Sequence, residues 1–237
     1  ACCLVGSEMC IRDRYRSDGF KIHLTPTMGA LHAGHLKLVK ESKKLKSIVV
    51  VSIFVNPTQF GPKEDYKDYP RTLKNDLKVL KKYGADIVFT PIQKQILSHK
   101  TKHNCPQFAI EKRLCGKSRP NYFPGVKNIV LKLFDIVQPD AAFFGEKDYQ
   151  QYLVIKKMTE SLNLNTRIVC VKTVRDRNGL PLSSRNSYLS GQEFKIAIKI
   201  NKLLKKLPPL IRTKLEINKI LNHCLLYTSP SPRDNTL

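Results

Sequence analysis

The chain has 237 residues, 41% of them hydrophobic and 26% charged, with a formal net charge of +23. That length bounds it to one large domain or two small ones with room for a core, and no run approaches 18 uninterrupted apolar residues, which excludes a transmembrane helix. The seven cysteines are odd in number and show no CxxC spacing, which argues against a disulfide framework or zinc site and for a reducing cytoplasm.

Residues 1–14 show no helical or strand period, and residues 224–237 break sharply from the lysine-rich style before them. Both ends read as non-native tails, so no helix is expected before the first strand. No charged-then-apolar leader precedes residue 20, so secretion is not indicated. Residues 21–26 read as a strand and 33–46 as a helix with Leu36, Val39 and Leu45 on its apolar side. The β-branched run 47–55 reads as a strand buried on both faces. A turn-rich loop over 56–62 follows. A second helix opens near Tyr69-Pro70-Arg71-Thr72, with Pro70 at its first position, and stops at Gly84.

Residues 86–90 form the next strand, 92–107 are irregular, and 108–110 read as a short extra strand. After a loop over 119–125, a helix carries Val126, Ile129, Val130, Leu133 and Val137 and ends before Pro139. Residues 140–144 are a strand, Leu153, Val154, Met158 and Leu162 mark a helix, and 167–174 are the last strand. Ser190-Gly191-Gln192-Glu193 has capping-box spacing, so a helix starts near Gly191 and ends at Pro208-Pro209. Strands alternating with helices through short links predict an α/β fold, a doubly wound parallel sheet.

Four polar loops each follow a predicted strand: 32–35, 56–59, 145–151 and 183–186. In an open parallel sheet ligands bind at the carboxyl ends of the strands, so the four loops converge on one crevice. In the first, His32 and His35 stand three residues apart at a helix start, where partial positive charge favours an anion. Gly29 and Gly34 allow a flat ring or a phosphate close to the backbone. The HxGH turn resembles that of the nucleotidyltransferases related to class I aminoacyl-tRNA synthetases.

The order PTMGALHxGH, VSIFVNPTQF, RPxxFxGV, VQPDxAxFGEKDxQQ and GLxLSSRNxYLS, over residues 21 to about 207, resembles the pantothenate synthetase (pantoate–β-alanine ligase) family. That resemblance implies a Rossmann-like domain over 15–176 and a small C-terminal lid domain, here truncated, starting at 177–223. It implies a homodimer, and condensation of pantoate with β-alanine using ATP and Mg²⁺ through a pantoyl adenylate. By motif, the ATP site comprises Met28, Gly29, Ala30, Leu31, His32, Ala33, Gly34 and His35. It continues through Gly145, Glu146, Lys147 and Asp148, then Val174, Leu182, Ser183, Ser184 and Arg185. His35 falls at the family's proton-donor position. Gln59 and Gln151 match pantoate-binding positions, and Gln59 also touches β-alanine. Asn56 and Arg119 match positions near the substrates. The RPxxFxGV loop departs from the family, with Asn121-Tyr122 and Pro124 where Gly-His and Arg are common.

The chemistry fits these residue types. A carboxylate attacking a triphosphate needs charge cancellation, and His32, His35, Lys147 and Arg185, with Ser183 and Ser184, supply it without competing negative charge. An electrostatic role suits His35 better than acid catalysis, because the attacking carboxylate has no proton to lose. Asp148 is open to three roles: orienting Lys147, binding a ribose hydroxyl or reaching Mg²⁺. Tyr122 and Phe123 read as packing residues. Two rival functions are another HxGH-type adenylyl- or cytidylyltransferase, and a nucleic-acid-binding module suggested by charge alone. The lysines spread over helix faces without interleaved aromatics, which favours a solvated surface over a nucleic-acid interface.

Overall fold

The computed structural model describes residues 5–43 and 47–211, with side chains placed over 11–43 and 47–205. The chain divides into two units, residues 1–173 and 174–237.

In chain order the first unit comprises α1 (Val5–Ser17), β1 (Lys21–Thr27), α2 (Ala33–Lys43), β2 (Ser47–Ile53), α3 (Leu73–Lys82) and β3 (Ile87–Phe89). There follow α4 (Gln93–Ser98), α5 (Cys115–Ser118), α6 (Tyr122–Val137), β4 (Ala141–Gly145), α7 (Tyr149–Ser161) and β5 (Arg167–Val171). The five strands form one parallel sheet in the order β3-β2-β1-β4-β5. Alternate residues of each strand go to opposite faces. Ile22, Leu24, Ile48, Val50 and Phe144 meet α6 and α7 in one core, while Val49, Val51, Ala141 and Phe143 meet Leu38 and Val39 of α2 and Leu80 of α3. Both faces are therefore covered, which is why β2 reads as a continuous apolar run. The order reverses between β1 and β4, and at such a switch point the loops leaving the two strands diverge to opposite faces and open a crevice.

The structure corrects several expectations. A helix does precede the first strand. It shows little apolar period because α1 is held partly through arginines: buried Arg12 donates from Nη1 to the Ile136 carbonyl at 2.9 Å, and Arg16 donates to that of Gln138. These carbonyls lie at the C-terminal end of α6, where cations are favoured. Residues 108–110 form no strand but lead into a 3₁₀ turn over Ala109–Lys112. Glu111 claims the Phe108 N–H (2.9 Å) and is itself held by buried Lys127 (2.6 Å). Helix α6 begins at Tyr122, before the expected start. Pro124 fits its first turn, where an N–H has no intrahelical partner to lose. Pro70 lies outside α3, whose N-cap is Thr72. The irregular stretch 92–107 contains the short helix α4. Leu45 and the tails 1–4 and 224–237 lie outside the described residues.

In the second unit Arg175 and Pro181 pair in an antiparallel bridge around a turn at Gly179, whose φ is +88°. Asp176 Oδ1 closes this turn by accepting the N–H groups of Asn178 and Leu180 at 2.9 and 2.8 Å. The last helix, α8 (Gly191–Ile211), has the expected capping box: Glu193 accepts the Ser190 N–H at 2.8 Å and Ser190 Oγ accepts the Glu193 N–H at 3.3 Å. It runs past Pro208-Pro209, where the sequence predicts its end. Among the described residues no helix is long and apolar enough to cross a membrane.

Candidate active site

The turn between β1 and α2 is held from a distance. Gly29 and Ala30 both have positive φ, +79° and +49°, a conformation that costs an L residue roughly 1–2 kcal/mol. Asp76, in the first turn of α3, holds it: Oδ2 accepts the Ala30 N–H (3.0 Å), Oδ1 the Leu31 N–H (2.9 Å), and Thr72 Oγ1 donates to Oδ2 (3.1 Å). The carboxylate is 1% exposed, so it fixes the backbone leading into His32. Asp76 is absent from the sequence reading. Its signal was a carboxylate four residues before Leu80, on the apolar face of an amphipathic helix. Gly29 is needed because a Cβ there would stand 3.1 Å from Asp76 Oδ2 and from the Ile53 side chain.

The imidazoles of His32 and His35 lie with ring centroids 4.1 Å apart. Backbone donors settle their tautomers. The Gly34 N–H points at His32 Nδ1 (3.1 Å) and the His32 N–H at His35 Nδ1 (3.3 Å). An N–H can only donate, so each Nδ1 is an acceptor and each neutral ring carries its proton on Nε2. Gly34 makes room for this: a Cβ there would meet the His32 ring at 2.7 Å. The glycine serves the histidine's own fold-back as well as any ligand.

Burial, then the positive charge of Lys147, lower the His32 pKa from 6.5 to about 4, against an opposing pull from Asp148. Burial, then His32, then Lys147 lower that of His35 to about 3. Both rings are therefore neutral near pH 7. Lys147, in the loop after β4, is thus within electrostatic reach of the imidazole pair; it lies 3.6 Å from Asp148, with side chains 36 and 50% exposed. Glu146 points elsewhere, accepting the N–H and hydroxyl of Thr173.

The loop after β2 joins the same edge. Gln59 Nε2 donates to Met28 Sδ (3.2 Å), a weak acceptor. Gln59 Oε1 accepts from Asn56 Nδ2 (3.1 Å), which also donates to the Gly125 carbonyl (3.2 Å). Asn56 Oδ1 accepts the Thr58 N–H and hydroxyl (3.2 and 2.9 Å). Asn56 thus orients Gln59 rather than facing solvent, and it is 1% exposed. Gly125 lets α6 approach, since a Cβ there would meet the Thr58 carbonyl oxygen at 2.3 Å.

Arg119 makes a two-point ion pair with Glu64 (2.5 Å each), donates to the Gln59 carbonyl (3.4 Å) and stacks 3.8 Å over the Tyr122 ring. Tyr122 Oη donates to Gln151 Oε1 at 2.9 Å. Tyr122 therefore does more than pack, whereas Phe123 is buried. The first unit thus links Met28, Asn56, Gln59, Arg119 and Gln151 through side-chain and backbone contacts, and couples His32 and His35 to Lys147.

The remaining sequence-derived positions belong to the second unit. Leu182 donates its N–H to the Val174 carbonyl (3.0 Å), so these two lie side by side. Ser183 caps a 3₁₀ turn over Ser184–Tyr188, its Oγ accepting the Arg185 N–H at 3.3 Å.

Among the described residues no group of three or more His, Cys, Asp or Glu side chains could hold a metal ion. Asp76, the buried carboxylate nearest the turn, is committed to backbone N–H groups. The donor set therefore does not fit a protein cage for Mg²⁺. An ion carried on ATP phosphates needs none.

A family model described as pantoate-beta-alanine ligase matches residues 7–228. The chain is 46% identical over 213 residues to a pantothenate synthetase of Thermosipho africanus (strain TCF52B), covering 86% of this chain and 77% of that one. It is 50% identical over 202 residues to that of Acinetobacter baylyi (strain ATCC 33305 / BD413 / ADP1), covering 85% and 72%. A solved pantoate-beta-alanine ligase of Francisella tularensis, complexed with beta-gamma ATP and beta-alanine, aligns with a TM-score of 0.80 at 39% identity over 93% of this chain and 84% of that one.

Proposed function

The chain belongs to the pantoate-beta-alanine ligase family, and on that footing we propose that its sheet-edge site condenses pantoate with β-alanine through a pantoyl adenylate. In the first step a pantoate carboxylate oxygen bonds to the α-phosphorus of ATP. The bond from that phosphorus to the bridging oxygen breaks, and pyrophosphate leaves. In the second, the neutral amine of β-alanine attacks the acyl carbon, AMP leaves with the acyl–oxygen electron pair, and the nitrogen loses a proton.

The observation that carries this reading is the imidazole pair, neutral and protonated on Nε2, coupled to Lys147 at the switch point. Two Nε2–H donors and one ammonium, the latter 3.6 Å from Asp148, meet the charge that builds on the phosphate oxygens. With its pKa lowered to about 3, His35 is not an imidazolium at neutral pH, which favours hydrogen bonding from Nε2–H over acid catalysis. Gln59 and Gln151 take pantoate, and Ser183, Ser184 and Arg185 keep the nucleotide-contact role that their motif implies. Mg²⁺ entering with ATP shields the phosphate charge. No protein ligand is assigned to it. A homodimer and a cytoplasmic location belong to the same proposal.

The test is product analysis with ATP and Mg²⁺. Pyrophosphate release should require pantoate, and release of AMP and pantothenate should require β-alanine as well. Pyrophosphate release without pantoate, or with a different acid in its place, would reject the assignment.

A further inference from the structure

The two glutamines at the sheet edge each accept a protein hydrogen bond on Oε1. For Gln59 the orientation follows from groups that cannot be inverted. The Thr58 N–H must donate to Asn56, so the atom it meets is Oδ1. The Gly125 carbonyl must accept, so the other end of Asn56 is Nδ2. The Gln59 atom facing Nδ2 is therefore Oε1, which leaves the Gln59 NH₂ against only the Met28 thioether. Gln151 repeats the arrangement with a different donor: its Oε1 accepts the Tyr122 hydroxyl at 2.9 Å. The Arg119 guanidinium, 3.8 Å over the Tyr122 ring, is attracted to the ring face and holds its orientation. Glu64 balances the charge of that guanidinium at two points.

We propose that Tyr122 is a positioning residue for the acid substrate: its hydroxyl holds Gln151 by Oε1 with the amide NH₂ turned away from the tyrosine, so that Gln59 and Gln151 present their NH₂ donors to the ligand. This rests on pantoate as the acid. Two NH₂ groups presented together suit a carboxylate and a hydroxyl oxygen. That arrangement also disfavours an analogue with an ammonium in place of the hydroxyl, which would bring only donors to donors.

The test uses the full chain and pantoate, titrated by calorimetry and by the side-chain NH₂ signals of ¹⁵N-glutamine-labelled protein. Tyr122→Phe keeps the ring under Arg119 and removes one hydrogen bond. Pantoate affinity should fall on the order of 3- to 10-fold, ATP affinity should hold, and the Gln151 NH₂ signals should shift. In a Gln151→Ala background the same substitution should have no further effect on pantoate affinity. Tyr122→His, which restores a ring N–H, should recover part of the loss. If pantoate binds wild type and Tyr122→Phe equally, or if the loss persists in Gln151→Ala, the role given to Tyr122 is wrong while the assigned function stands. If wild type binds ATP but not pantoate, the functional assignment fails and the role of Tyr122 fails with it.

Discussion

Two turns leave neighbouring strands of the sheet, and they are built in opposite ways. After β1, residues 29–35 are anchored by Asp76 and by N–H to imidazole contacts, and the two rings are neutral. After β4, Lys147 and Asp148 stand substantially exposed, and the contact recorded between them is a 3.6 Å ion pair. The first turn gives fixed direction with little charge, and the second gives charge with little fixation. Reactions at phosphorus need both, because preorganised donors spare reorganisation at the moment of reaction and an exposed cation attracts an anionic nucleotide over longer range. The contrast assigns geometry to the first turn and attraction to the second, and substitutions can break it on either side.

The largest effect should come from Gly34→Ala. The added methyl must displace the His32 ring, so pyrophosphate release should drop about 10²- to 10³-fold with the melting temperature nearly unchanged. Asp76→Ala should affect turn and fold together. It leaves two backbone N–H groups unpaired beside a positive-φ turn and should cost about 2–4 kcal/mol in denaturant unfolding, with turnover falling as well. His35→Ala should reduce turnover about 10²-fold and His35→Gln about 10-fold, since the amide keeps a donor. Equal losses would mean that hydrogen bonding is not the main role. Lys147→Gln should raise the KM for ATP roughly 10-fold with no change in stability, and that loss should shrink as salt rises.

A separate effect, on stability rather than turnover, is in pH. Both imidazoles have folded pKa values, about 4 and about 3, below the unfolded 6.5. Between those values the unfolded chain binds more protons, so acid favours unfolding. The stabilisation is fully present above pH 6.5 and is lost as pH falls towards 3–4. Unfolding curves from pH 7 to 4 should show the decline, and a His32→Gln/His35→Gln variant should show a shallower one.

Much of this was legible in the chain itself. The strand runs, the helix over 73–82, the Ser190/Glu193 box and the polar loops after the strands all announce themselves within about ten residues. Burial imposes a period of two on strands and 3.6 on helices, and caps and turns have local residue demands. The same reasoning missed α1, whose grip on the fold comes partly from Arg12 and Arg16 reaching carbonyls rather than from an apolar stripe. It also read 108–110 as a strand, because residue types alone do not show that Glu111 would take the Phe108 N–H.

What the sequence determined, then, was the kind of each element and the identity of its loops, since these depend on neighbours a few residues away. What only the tertiary structure decided was partnership: Asp76 under a turn 45 residues earlier, Tyr122 against Gln151, Asn56 behind Gln59, and the tautomers of two histidines. A hydrogen bond needs its atoms about 3 Å apart and aligned, and nothing local in the chain fixes that distance until the crossovers have brought the segments together.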